Sequence, residues 1–222
     1  MNTRSICLLG ISCYLGMASA QADTGEPWIA RLGYARASFS PEAKLSLAGN
    51  SVPGAEVEIP DRELLMAELG YEFADGWVAR IALAPPPTVT VFADGSLKGF
   101  TPPLTGTVAK ARIAPVLMTV TYSPGSFHGI APYVGAGVNY TIVMDTWDGD
   151  VASIDAKNAW GPVFQVGADL AIDRNWSAYL DARKVYVTTT GTGIVPAFGG
   201  MPVRGEVTIN PLIVSVGLSY RF

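Results

Sequence analysis

The chain is poor in the residues that most protein chemistry depends on. It holds two cysteines, Cys7 and Cys13, and one histidine, His128, in 222 residues. Both cysteines fall in the first twenty residues, where Arg4 precedes an apolar run from Ile6 to Met17 and the A-x-A sites Ala18-Ser19-Ala20 and Ala20-Gln21-Ala22. That is the layout of a secretory leader, residues 1–22, cleaved after 20 or 22. A lipoprotein leader ending at Cys13 is the rival, and Gly10-Ile11-Ser12 before it matches poorly. The expected mature chain, 23–222, is a single domain without disulfide or thiolate. Ser-His, Cys-His and zinc constellations then lack their parts, so no enzyme and no cofactor or metal site is expected.

Charge is scarce as well: 15% of residues against a usual ~25%. Removing Arg4 with the leader leaves 15 − 1 = 14 basic against 19 acidic residues, a formal charge of −5. With a pI near 5.0 and no basic stripe, a nucleic-acid partner is not expected. Long apolar runs are missing from the body of the chain, which excludes helical membrane spans. Yet 49% of the residues are hydrophobic and mean hydropathy is +0.29. Much apolarity in short pieces points to amphipathic strands.

Those strands are present. In the last of them Leu212, Val214, Val216, Leu218, Tyr220 and Phe222 alternate with small or polar residues, the period of a strand with two unlike faces. The same alternation starts at Trp28, Leu65, Trp77, Val116, Val134, Phe164 and Trp176, which gives eight strands. Short turns (74–76, 123–130, 173–175) alternate with long connections (40–62, 84–107, 145–158, 188–205), and Asp75-Gly76 is a strong hairpin signal. The expected fold is therefore all-β: an eight-stranded antiparallel transmembrane β-barrel with periplasmic turns and extracellular loops. The ionisable residues Arg31, Glu68, Glu72, Arg80, Asp169, Asp181, Arg183 and Arg221 all share the parity opposite to the apolar face. Four of each sign suit a narrow, nearly dry lumen, whereas a soluble barrel would be apolar inside. Aromatics gather at both strand ends, as interfacial girdles do.

Segments 115–144 and 209–222, with PYVGAGVNYT (132–141) and INPLIVSVGLSYRF (209–222), resemble the outer-membrane protein W (OmpW) family. RLGYA (31–35) and WSAYLDARKVYVTTT (176–190) resemble that family's first and seventh strands. The resemblance implies an outer-membrane barrel of a Gram-negative bacterium with a hydrophobic interior, related to alkane-uptake barrels and passing small hydrophobic compounds. It also implies that the barrel-assembly machinery reads Tyr220 and Phe222. A structural or receptor-type barrel contacting phage, colicin or lipopolysaccharide, without transport, is the alternative.

For a conduit, apolar residues in the long connections are the expected entry: Leu45, Leu47, Val52, Val91, Phe92, Phe100, Leu104, Ile194, Val195 and Phe198. Pro115, Pro162 and Pro211 remove ladder donors in the outer halves of three strands, and are expected to mark either a loosened wall for lateral exit or harmless strand ends. Arg36, Arg112 and Lys184 are expected near the outer interface, where they could meet lipopolysaccharide phosphates or simply mark a bulge. Asp145, Asp148, Asp150 and Asp155 read as a solvated loop, His128 as a turn residue, and Gly135-x-Gly137 as lumen-facing glycines.

Overall fold

The structure, a computed structural model, describes residues 26–99 and 106–222. The leader with its cleavage site, Phe100 and Leu104 lie outside the described residues. In chain order the strands are β1 (Trp28–Ser38), β2 (Glu42–Leu47), β3 (Asn50–Val52), β4 (Ala55–Glu58), β5 (Arg62–Ala74), β6 (Trp77–Leu83), β7 (Thr88–Gly95) and β8 (Thr107–Tyr122). They continue as β9 (Ile130–Asp148), β10 (Ala152–Ala156), β11 (Ala159–Ala171), β12 (Trp176–Val185), β13 (Thr188–Val195), β14 (Met201–Thr208) and β15 (Leu212–Arg221).

Eight of them close a barrel in the order β6-β5-β1-β15-β12-β11-β9, with β8 pairing both β9 and β6. Every pairing is antiparallel. The ring is sewn where the first and last strands meet: Trp28 and Phe222 exchange backbone hydrogen bonds of 3.1 and 2.9 Å. Over the length of the β5–β6 ladder the ring is closed and leaves no sheet edge, which a hydrocarbon environment demands. The short turns are built as their residues suggest. Gly76 takes φ 70° after Asp75, and the Asp173 carboxylate accepts the amides of Asn175 and Trp176 at 2.9 and 2.8 Å.

The two faces separate cleanly. Leu32, Leu65, Val134 and Leu180 are each 59–61% exposed in the middle of their strands, whereas Arg31, Thr121, Asp181 and Arg183 are at most 3% exposed. Burial inverted in this way is that of a barrel solvated by lipid. Three cross-strand Trp–Tyr pairs, Trp28–Tyr71, Trp77–Tyr122 and Trp176–Tyr220, repeat at 4.8 Å along the periplasmic rim.

The long connections differ from the expectation of loops. β8 and β9 run on outward as a paired hairpin to Ala109 and Asp148, and β7 and β4 add to the β8 side. β10-β13-β14-β2-β3 form a second sheet above the barrel. These short strands bury their apolar residues against one another: Ala55, Ala93, Leu97 and Val195 form a cluster with Leu45, Leu47, Val52 and Phe198 packed on it. Their alternation serves a small local core and so lacks the uniform apolar face of a lipid-facing strand.

Candidate functional site: a charged plug beneath an apolar cavity

Each barrel strand changes character along its inward face. On β5 the inward series from outside to periplasm is Arg62, Leu64, Met66, Glu68, Gly70, Glu72; on β12 it is Val185, Arg183, Asp181, Tyr179. β8 and β11 follow the same order, from Thr121 and Thr119 to Leu117 and from Gln165 to Val163, so the lumen has two floors, although β9 keeps Asn139 and Thr141 at the upper level.

The lower floor is an ion-pair network. Glu68 accepts from Arg80 at 2.8 Å and from Arg183, and lies 3.3 Å from Arg31. Arg31 also reaches Asp169 at 2.6 Å, and Arg183 reaches Asp181 at 2.8 Å. Three arginines thus face three carboxylates, and all but Asp169 are under 5% exposed in their side chains. Charge of this kind is tolerable in a dry interior only when paired and hydrogen-bonded. The extra bonds are supplied by residues that parity placed in the lumen or left unremarked. The Tyr133 hydroxyl donates to Asp181 at 2.8 Å and accepts from Arg31 at 3.1 Å. Gln165 donates to Asp181 at 2.6 Å and accepts from Thr119 at 2.7 Å; Thr121 accepts from Arg80 at 2.9 Å. The rings of Tyr133 and Tyr179 lie 5.1 and 4.9 Å from the Arg31 guanidinium carbon. Gly167, opposite Tyr133 in the ladder, makes this possible, since a Cβ there would sit 2.4 Å from the Tyr133 hydroxyl. Arg221 and Glu72 form a separate ion pair at the periplasmic rim. Sequence parity therefore groups eight charged residues that the structure divides into a set of six and a pair.

The upper floor is apolar. Ala35, Met66, Ala82, Leu117, Val163 and Val185 pack into a layer directly above the network, and Arg183 Nη1 lies 3.9 Å from Met66 Sδ. Above it opens a cavity of about 270 Å³ lined by Leu64, Val89, Ile113, Val187, Ile209 and Ile213 among others. Of the loop residues expected at an entry, Leu45 and Val91 line this cavity. Leu47, Val52, Val195 and Phe198 belong to the cluster above it, Ile194 is exposed, and Phe92 is half-buried in β7. Most of the lining comes instead from inward positions on the barrel strands. Splitting each inward face into halves would have revealed them in the sequence.

The wall is incomplete, though away from the three prolines proposed to loosen it. The β8–β9 ladder pairs Pro115 with Thr141, the β9–β11 ladder pairs Pro162 with Val138, and Tyr186 and Val185 donate to the carbonyls of Pro162 and Pro211 at 3.0 Å. A proline keeps its carbonyl, and neighbouring strands use it. The gap lies beyond the outer end of the β5–β6 ladder, between the start of β5 and the chain that follows β6. The Ala67–Leu83 pair and the Glu58–Phe92 pair share one register, yet no ladder pair joins residues 59–66 to residues 84–91 between them. Pro85, Pro86 and Pro87 stand on one side of this seam with no amide hydrogen to donate. Leu64, Met66, Leu83, Ala84 and Pro87 line both seam and cavity.

Two of the cations expected to face lipopolysaccharide are engaged within the protein. Arg36 pairs with Asp61 at 2.9 Å, and Lys184 donates to the Asn210 carbonyl at 2.6 Å. Arg112 is exposed. Asp155 pairs with Lys157, Asp150 accepts the Gly106 amide at 3.1 Å, and among the described residues no group of three or more His, Cys, Asp or Glu could hold a metal ion. His128 sits exposed in its turn at φ 54°.

The sequence matches the model of the OmpW family over residues 29–222. The chain belongs to the OmpW family. It is 33% identical over 223 aligned positions, covering 100% of both chains, to the dibenzothiophene metabolism operon protein PahQ of Pseudomonas aeruginosa. Its fold superposes on the crystal structure of the outer membrane protein OprG of Pseudomonas aeruginosa with a TM-score of 0.80 at 22% identity, covering 89% of this chain and 96% of that one. The outer membrane protein AlkL, solved in lipid bilayers, gives a TM-score of 0.68 at 25% identity, with 100% and 97% covered. Like its family, the protein is an eight-stranded barrel of the Gram-negative outer membrane.

Proposed function

We propose that this OmpW-family barrel is a passive conduit for small hydrophobic molecules across the outer membrane. The observation that carries the reading is the apolar cavity of about 270 Å³, closed below by a neutral ion-pair plug and bordered by an unpaired seam. Charges satisfied by one another and by neighbouring side chains make a poor aqueous path, because a permeating solute would have to break buried pairs. The seam offers an apolar solute an alternative, a sideways step from cavity to hydrocarbon. An eight-stranded barrel is otherwise too narrow to be an open pore. PahQ is named for an operon of dibenzothiophene metabolism, and an aromatic heterocycle of that kind is consistent with such a cargo.

The test is uptake of a hydrophobic probe by cells with and without the gene, with a hydrophilic solute as control. A second arm uses Ala111→Trp, which puts a large ring into the cavity from β8. Faster probe uptake that requires the gene and falls with Ala111→Trp is expected. Equal uptake in both strains would favour a structural or receptor barrel in contact with lipopolysaccharide, phage or colicin.

A further inference from the structure

Every lumen arginine below the apolar layer has a carboxylate partner. Arg62 does not. It shares the inward parity of Leu64, Met66 and Glu68 on β5, lines the cavity, and stands within the unpaired seam. Its Nε is buried without a hydrogen-bond partner, and among the described residues its side chain makes no ion pair. Asp61, its neighbour in sequence, is already committed to Arg36, Ser38 and the Phe39 amide. Among the described residues the charged groups at the cavity are of one sign: Arg62 and the exposed Lys110 and Lys157, with no aspartate or glutamate. This occurs in a chain whose net charge is −4. Lys157 is held by Asp155 at 2.6 Å, and among the described residues Arg62 and Lys110 make no ion pair.

A buried donor without an acceptor is costly, and a guanidinium most of all, since it cannot shed its proton. Arg62 is half-buried and its Nε is the atom left without an acceptor, so an acceptor supplied from the chamber would satisfy it. Its planar fork matches a carboxylate through two parallel hydrogen bonds.

Resting on the conduit reading above, we propose that the preferred cargo is an apolar monocarboxylate, its ring or chain in the cavity and its carboxylate on Arg62. Lys110 adds to the positive field at the mouth. The wholly uncharged hydrocarbon is then the poorer ligand of the two. A phosphate of a membrane lipid offers the same anionic chemistry, so the assay must exclude it.

The protein is reconstituted in phosphatidylcholine vesicles free of anionic lipid, and binding of 1-naphthoate is compared with that of its neutral methyl ester at pH 7, where the acid is ionised. The parent protein should prefer naphthoate. Arg62→Gln should lower the naphthoate-over-ester ratio by about tenfold, the worth of one charge-assisted hydrogen bond. Arg62→Lys should restore part of it, and Lys110→Gln should lower it less. Heat-modifiable migration on gels shows that each variant is folded. Binding of the ester with no preference for naphthoate in the parent, or a ratio unmoved by Arg62→Gln, overturns the carboxylate preference and leaves the conduit standing. Binding of neither compound overturns the conduit reading and this proposal with it. A naphthoate preference that appears only in vesicles containing lipopolysaccharide assigns the anionic chemistry to lipid and overturns the proposal.

Discussion

Glu68→Gln should be the most damaging single-atom change available in this barrel. Glu68 is the common acceptor of the lower floor, in contact with Arg31, Arg80 and Arg183, and its side chain is 3% exposed. The substitution keeps shape and volume but removes one of three carboxylates facing three arginines, so a neutral plug acquires one unit of positive charge. Breaking a buried pair by removing one partner costs roughly 3–5 kcal/mol, a hundredfold or more in the folded-to-unfolded ratio. Arg80 has Glu68 as its only carboxylate partner among the described residues, so Glu68→Gln with Arg80→Gln restores the balance between the remaining two arginines and two aspartates. The double variant should recover at least half of the loss, a coupling that independent sites would not show. Urea titration in phosphatidylcholine vesicles can be followed by fluorescence of the rim tryptophans Trp28, Trp77 and Trp176. A Glu68→Gln loss below about 1 kcal/mol, or a double variant as poor as the summed singles, would refute the account of the plug as mutually satisfied charge.

Two further outcomes follow from the same geometry. Tyr133→Phe removes the hydroxyl shared by Asp181 and Arg31, and should lower stability in the same titration by about 1–3 kcal/mol, since it leaves buried polar atoms unmatched. Asp173, in a periplasmic turn, is held below the usual carboxylate range by the amides of Trp176 and Asn175. A depressed folded-state pKa stabilises above the unfolded value and ceases to do so as pH falls through the folded one. The urea midpoints of the parent and of Asp173→Asn should therefore differ at neutral pH and converge in acid.

Period-two alternation made most of the barrel legible. Leu32 beside Arg31 and Val120 beside Thr119 name their faces without any knowledge of a partner strand. The hairpin at Asp75-Gly76 and the turn at Asp173 were readable for a similar reason, since both are decided within four residues. What could not be read depends on strands distant in sequence. Arg183 meets Glu68 across the lumen, 115 residues away, and parity says that both point inward without saying that they meet. The prolines show the same dependence: Pro162 looks like a defect on its own strand, and only the neighbours show that Tyr186 uses its carbonyl. The strands in the long connections were hidden by shortness and by a core only a few residues wide. Arg62 was hidden by its ordinariness, since a cation near the outer end of a strand, between Asp61 and Glu63, is unremarkable until its side chain is seen to pair with neither.

The seam also bears on how the barrel behaves mechanically. A gate made of paired strands must break hydrogen bonds to open and remake them to close, and it would show two states. Between residues 59–66 and 84–91 no ladder pair exists to be broken, and Pro85, Pro86 and Pro87 prevent the two edges from zipping even though the register on either side would allow it. Opening and closing are then the same state. On the conduit reading proposed above, passage at the seam would then depend on the shape and polarity of the solute and not on a gating transition.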